Sequence, residues 1–314
     1  MKYSLIFPGQ GAQRPGMGKS FYDKYPSSKS VFEEADDALG FSLTKTIFEG
    51  TPEELAKTAI TQPSILVTSV ATFRALEAEY GNLAPNTMAG HSLGEYTAMV
   101  AAGVISLRDG VRLVHLRGGL MQEAVPLGEG SMAAIVGPDI DQVRAACEES
   151  AQGEVCQVAN VNAATQIVIS GHAGAVARAA AAIVTSGAKV IPLRVSAPFH
   201  SDLMRPVADK LKEAFEKIDW HEPKCPIITN VDAKPVSTAA ELKDSLYRQT
   251  FLPVLWLQSV LKMEELGAEG YIELGPGSVL SGLVRKICKG KRPCAVSDTD
   301  ELDIAVAWLR GEKR

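Results

Sequence analysis

Apolar and polar positions along this chain alternate between strand-like and helix-like rhythms in short blocks. Residues 2–7 form a brief apolar run closed by Pro8-Gly9, the form of a buried first strand. Helical patterning follows. "SSKSVFEEADDAL" offers a serine cap, "TPEELAKTA" puts proline at a first helical position, and "QPSILVTSVATFRALEAEY" predicts a long amphipathic helix. Thr87-Met88-Ala89 predicts a short buried strand. Residues 95–102 predict a helix stopped by Gly103, and residues 107–123 predict another.

The rhythm changes after "VPLGEGS". "SMAAIVG" reads as a strand, "DIDQVRAACEES" as a helix, "VCQVANVN" and "TQIVISG" as strands, "AGAVARAAAAIVTSG" as a helix and "AKVIPLRV" as a last strand. That βαββαβ order is the ferredoxin-like pattern. The earlier style then resumes: "PVADKLKEAFEKI" is helical, "CPIITNV" a strand, "SLYRQTFLPVLWLQSVLKMEELG" helical with a proline break, and "GYIELGPG" a strand ending in a turn. The expectation is an α/β protein in which a small subdomain, residues 128–196, is inserted into a larger domain, residues 1–127 and 197–314. The larger domain should hold a mainly parallel sheet covered on both faces.

Composition narrows the function classes. With 314 residues and 46% apolar content, the chain has ample material for a core. Its net charge of −5 does not support general nucleic-acid binding. Five cysteines without a CxxC pair suit a reducing compartment better than a disulfide scaffold. The N-terminal apolar run is too short for a signal segment, and no later run reaches membrane-spanning length, so a cytoplasmic protein without a membrane partner is expected. No metal-ligand cluster appears, and no cofactor is expected.

The chemistry concentrates at "GHSLGEY", residues 90–96. Gly90-His91-Ser92-Leu93-Gly94 fits the G-x-S-x-G nucleophile elbow, in which a serine sits on a strained strand-to-helix turn. A serine nucleophile needs a base, and the chain has five histidines. His91 is too close along the elbow to turn onto Ser92. His115 lies between leucines in a helix, His172 follows a subdomain strand, and His221 sits on a surface-like turn. His200, in the irregular loop "SAPFHSDLM", is the best placed. The α/β-hydrolase order puts the histidine last, yet no histidine follows His221, so an ordinary esterase triad does not fit. Asp202 stays open as a third member.

Arg117 shares an apolar helix face with Leu113 and Leu120, so its guanidinium needs an anion. That anion is either a substrate carboxylate or one of the chain's own acids. Gln10 sits in Pro8-Gly9-Gln10-Gly11, a turn that can aim main-chain N–H groups into a cleft. No Walker-type Lys-Ser/Thr follows, which sets a phosphate loop aside. Asn160 and Asn162, in a valine-rich strand, point either to a cleft wall or to a strand-end turn.

"FPGQGAQ", "GHSLGEY", "RLVHLRGGLMQ", "SAPFHSDLM", "RQTFLPVLW" and "ELGPGSVLSGL", in this order and spacing, resemble the malonyl-CoA:acyl carrier protein transacylase family nearly end to end. Ala12 departs from a common serine, in a loop that works through its backbone. The resemblance implies an α/β-hydrolase-like core carrying a ferredoxin-like subdomain, with the site in the cleft between them. It implies a Ser92–His200 dyad steadied by the main-chain carbonyl of Gln249, and an oxyanion hole at the Gln10 and Leu93 amides. It gives Arg117 the malonyl carboxylate, and it has Phe199 limit space beside the acyl α-carbon, as phenylalanine does in malonyl-selective relatives. The implied reaction moves malonyl from malonyl-CoA to a separate acyl carrier protein in fatty-acid synthesis, with the enzyme a monomer. Rival readings are a trans-acting acyltransferase of a polyketide synthase or malonate decarboxylase, a thioesterase, and a non-catalytic binding module. The cluster "VRKICKGKRP", with Arg285, Lys286, Lys289, Lys291 and Arg292, is the densest basic patch for an acidic carrier, or else a solvated helix end.

Overall fold

The computed structural model describes residues 2–312 except 127, 186, 194 and 196. The subdomain boundaries expected at 127/128 and 196/197 therefore each touch a position outside the described residues.

The strands among the described residues are β1 (Tyr3–Phe7), β2 (Thr87–Gly90), β3 (Gly130–Val136), β4 (Cys156–Ala163), β5 (Gln166–His172), β6 (Lys189–Pro192), β7 (Ile227–Ile228), β8 (Pro235–Val236), β9 (Gly270–Leu274) and β10 (Cys294–Val296). They form two sheets. The larger runs β10-β9-β1-β2-β7-β8 and is parallel except for its β7–β8 edge. β1, β2 and β9 are buried at every position, as strands covered by helices on both faces must be. The smaller sheet, β4-β5-β3-β6, is antiparallel with two helices, Ile140–Ala151 and Ala173–Thr185, inserted in the βαββαβ order.

Several expected elements shift for physical reasons. The helix expected with a serine cap begins at Pro26 after an uncapped Tyr25, because proline pre-sets the first helical φ. "CPIITNV" yields only two strand residues, since the chain turns at Thr229, where Ala233 N–H donates to Thr229 O, and Asn230 leaves the sheet for the elbow. β6 ends at Pro192, short of the strand expected through 195. The segment expected to be amphipathic, Thr58–Tyr80, is buried on every face from Thr61 to Phe73 and serves as a central helix. It also carries Pro63 in its interior. Proline has no N–H, so the carbonyl of Ala59 loses its helical donor. His115 Nδ1 fills the gap at 2.8 Å, which gives that histidine a structural role.

The two sheets are clasped across the cleft. Val254 N–H donates to Ala159 O and Val161 N–H to Val254 O, a local parallel bridge between β4 and the segment 250–255. Asp202 and Gln157 add a reciprocal pair at 2.8 and 2.9 Å.

Candidate active site

The elbow is built by close approach. Ser92 ends the β2 turn with φ 52° and ψ −106°, and the helix Leu93–Ala101 starts directly after it. A Cβ on Gly90 would lie 1.9 Å from the Gly94 carbonyl carbon, and one on Gly94 would lie 2.1 Å from Phe7 O. Any side chain there would push the turn off β1, so the two glycines are what permit the strained serine. Asn230 holds the elbow from behind, accepting Ser92 N–H at 2.7 Å and donating to Gly90 O at 2.7 Å.

Ser92 Oγ lies 2.7 Å from His200 Nε2. His200 itself has φ 56°, an uncommon conformation held by a turn in which Ser201 Oγ donates to Pro198 O. Its Nδ1 donates to the main-chain oxygen of Gln249 at 2.8 Å, which leaves Nε2 free to accept the serine proton. That carbonyl is available because Gln249 is the last residue of the helix Ala239–Gln249, where the final carbonyls have no donor within the helix. Asp202 is occupied by Gln157 and Arg205 instead and takes no part in the pair. Burial, and then the Arg117 charge, push the His200 pKa down to about 3, so the ring is neutral and basic in form.

The other histidines are spent elsewhere. His91 Nε2 pairs with Asn162 Oδ1 at 2.8 Å, linking the elbow to β4. His172 Nδ1 accepts from Val155 N–H, and His221 is exposed.

Arg117, on the helix Leu107–Glu123, is 1% exposed. Nη1 donates to Gln62 Oε1 at 2.9 Å, and Nη2 donates to Gln249 Oε1 at 3.0 Å and to Ser92 Oγ at 3.2 Å. The Tyr96 ring lies under the guanidinium. Nε has no acceptor, and among the described residues no carboxylate comes within ion-pair distance. An internal salt bridge, one of the two sequence readings, is therefore not what this arginine makes. A buried cation held only by neutral oxygens beside a serine hydroxyl has the chemistry to pair with a carboxylate.

The chain matches the model for the acyl transferase domain over residues 4–312. The chain belongs to this family. It is 44% identical over 313 residues, 99% of this chain and 98% of the relative, to the malonyl CoA-acyl carrier protein transacylase of Bacillus subtilis. It is 45% identical over 306 residues, 97% of this chain and 99% of the relative, to the enzyme of the same name from Escherichia coli K12. A solved malonyl CoA-acyl carrier protein transacylase from Coxiella burnetii superposes with a TM-score of 0.96 at 39% identity, covering 98% of each chain. A malonyl-transacylase solved in complex with a type II polyketide-synthase acyl-carrier protein superposes at 0.94 with 44% identity, covering 98% and 99%.

Within this acyl transferase the remaining candidates line one passage. A cavity of about 120 Å³ holds Ser92, Arg117, Phe199, Gln10, Leu93 and Asn160. It shares Gln10, His91, Asn160 and Leu193 with a neighbouring space of about 240 Å³, which reaches Asn162, Gln166 and the apolar wall of Val279, Leu280 and Leu283. Among the described residues the Gln10 and Leu93 N–H groups donate to no protein acceptor. The wall helix Val279–Ile287 is seated by Glu273 at the end of β9, which accepts Leu280 and Ser281 N–H at 3.1 and 2.7 Å. That is the local reason for the "ELGPGSVL" run. Lys286 Nζ reaches Gln166 Oε1 at the passage end. Arg285, Lys286, Lys289 and Arg292 are exposed, whereas Lys291 is half-buried against Glu264 and Ala268 O and leaves the patch. A larger groove of about 460 Å³ lies on the far side of His200 and does not reach Ser92.

The residues that motif reading missed are Gln62, Glu95, Tyr96 and Asn230. Glu95 is in the quoted elbow stretch but reads there as an ordinary acidic first-turn residue. In the fold it is fully buried, accepting from Gln249 Nε2 (2.9 Å), Asn230 N–H (3.1 Å) and Ser245 Oγ (3.3 Å). Burial raises its pKa to about 7 against those donors and Arg117. Among the described residues no disulfide joins two cysteines, and no helix is long and apolar enough to cross a membrane.

Proposed function

We propose that this chain transfers a malonyl group from malonyl-CoA to the phosphopantetheine thiol of an acyl carrier protein through a malonyl ester on Ser92. The observation that carries the reading is the buried, anion-free Arg117 in contact with the Ser92–His200 pair. A thioesterase or a lipase acting on neutral acyl groups has no use for such a charge, and would bear its desolvation cost for nothing.

The steps follow from the geometry. The malonyl carboxylate pairs with Arg117, which sets the thioester carbonyl beside Ser92 Oγ. His200 Nε2 takes the serine proton as Oγ bonds to the carbonyl carbon. The resulting oxyanion faces the Gln10 and Leu93 N–H groups, whose hydrogen bonds strengthen as negative charge develops. Collapse breaks the C–S bond, and His200 returns its proton to the departing thiolate of coenzyme A. The carrier thiol then enters by the same passage, gives its proton to His200, attacks the ester carbonyl and leaves with the malonyl group, restoring Ser92 O–H. The passage suits a pantetheine arm, with amide side chains of Asn160, Asn162 and Gln166 set along an apolar wall and Lys286 at the mouth for a phosphate.

The similarity to a transacylase solved with a polyketide carrier favours a second carrier class, so carriers of fatty-acid and polyketide type both belong in the assay. Mass spectrometry after brief mixing with malonyl-CoA should find a malonyl adduct on the Ser92 peptide that clears on adding carrier thiol. An adduct that clears at the same rate without any acceptor would make the protein a thioesterase.

A further inference from the structure

Glu95 touches neither the Ser92 hydroxyl nor the passage, yet it is the hub on which the contacts behind the elbow converge. One of its oxygens, Oε2, accepts both Gln249 Nε2–H at 2.9 Å and Asn230 N–H at 3.1 Å. Its other oxygen accepts Ser245 Oγ–H at 3.3 Å. A side-chain amide can face either way, and its surroundings decide which end goes where. Glu95 and the Ser92 carbonyl (2.9 Å) both call for the NH₂ end of Gln249. The carbonyl end is thereby left facing Arg117 Nη2 at 3.0 Å. Were the amide reversed, its NH₂ would oppose the guanidinium, and Arg117 would lose one of the two glutamine oxygens that hold it. Asn230, fixed through its main chain by the same carboxylate oxygen, holds the Ser92 N–H.

We propose that Glu95 is a positioning residue for malonyl selectivity: by fixing the Gln249 amide it holds the Arg117 guanidinium against Ser92 Oγ, where an acyl carboxylate must be met. This rests on the malonyl-transfer reading. What matters is the reach of an acceptor oxygen rather than negative charge as such. Glutamine at position 95 can place its carbonyl where Oε2 lies and donate its NH₂ to Ser245 Oγ. Aspartate keeps the charge but is one methylene too short to accept from Gln249 and Asn230 together.

The test compares Glu95→Gln and Glu95→Asp with the parent enzyme, measuring kcat/KM for malonyl-CoA and for acetyl-CoA, each corrected for the fraction of Ser92 that can be acylated. Impaired folding would scale both substrates equally and leave their ratio unchanged. The expected result is that Glu95→Gln keeps the malonyl/acetyl ratio near the parent value, while Glu95→Asp lowers it by about ten- to a hundredfold, the size of a lost hydrogen bond to an ionised group. A parent-like ratio in Glu95→Asp, or an equal loss in Glu95→Gln, overturns the proposal. Should Glu95→Asp yield no folded protein, Gln249→Met decides the matter. It must lower the ratio similarly, because the Gln249 amide is the link through which Glu95 acts on Arg117. An unchanged ratio in Gln249→Met overturns the proposal as well. A parent enzyme that handles acetyl and malonyl alike would instead overturn the malonyl-transfer reading.

Discussion

Replacing Arg117 by methionine removes the guanidinium while filling most of its volume, so the change tests charge rather than packing. In the resting site the guanidinium meets only neutral oxygens and a ring face, and its Nε–H has no acceptor. A malonyl carboxylate supplies charge-assisted hydrogen bonds of about 1.5–3 kcal/mol each. Two such bonds amount to about 3–6 kcal/mol, or roughly 10²- to 10⁴-fold in kcat/KM. Acetyl transfer has no carboxylate to lose and should change far less. Thermal unfolding should also lack the large drop that follows from breaking a buried ion pair, because no ion pair exists here to break. The assay is steady-state transfer with malonyl-CoA and acetyl-CoA at a fixed carrier concentration, together with the acylation burst on Ser92. Equal falls for the two acyl groups would refute the reasoning and make Arg117 a structural residue.

Four further outcomes follow from the same geometry. Ser92→Ala should abolish acyl labelling and transfer, and His200→Ala should slow acylation severely, with the double variant hardly worse than either; clearly additive losses would argue against a coupled pair. His200 accepts a proton only when neutral, and its pKa is lowered by burial and by Arg117, so acylation kcat/KM should persist as pH falls below 6.5. In Arg117→Met the acid limb should move to higher pH, and a limb at 6.5 in both proteins would contradict this. Phe199 lines the Ser92 cavity, so Phe199→Ser should admit methylmalonyl partially, a methyl being worth about 1–3 kcal/mol; unchanged selectivity would count against its placement. Charge reversal at exposed Lys289 and Arg292, which do not line the passage, should raise the carrier KM and flatten its salt dependence while leaving Ser92 acylation by malonyl-CoA near normal. A carrier KM constant across low and moderate salt would move docking elsewhere on the rim.

Local chemistry made much of this protein legible from the chain alone. The elbow could be read because glycines two residues either side of a serine answer a steric demand confined to one turn. The βαββαβ order could be read because period-two and period-3.6 patterns report which face of each element is buried. Pro63 carried a signal that motif matching does not use: a proline four residues after a helical carbonyl leaves that carbonyl without a donor, and His115 takes it, while His200 takes the helix-end carbonyl of Gln249. Which histidine answers which carbonyl was settled only by the fold, since the partners lie 56 and 49 positions apart. Tertiary structure likewise decided that Thr58–Tyr80 is central rather than amphipathic, that Asp202 faces Gln157 and not His200, and that Lys291 pairs with Glu264. It alone made Glu95 significant. A carboxylate in the first turn of a helix usually faces water and the helix dipole; here the β2–β7 pairing and the end of the helix Ala239–Gln249 close over it, and burial converts a surface-type residue into the anchor of the site. Sequence patterns report what each residue contacts within a few positions. The identity of the groups that meet in the cleft depends on which strands and loops the fold brings side by side.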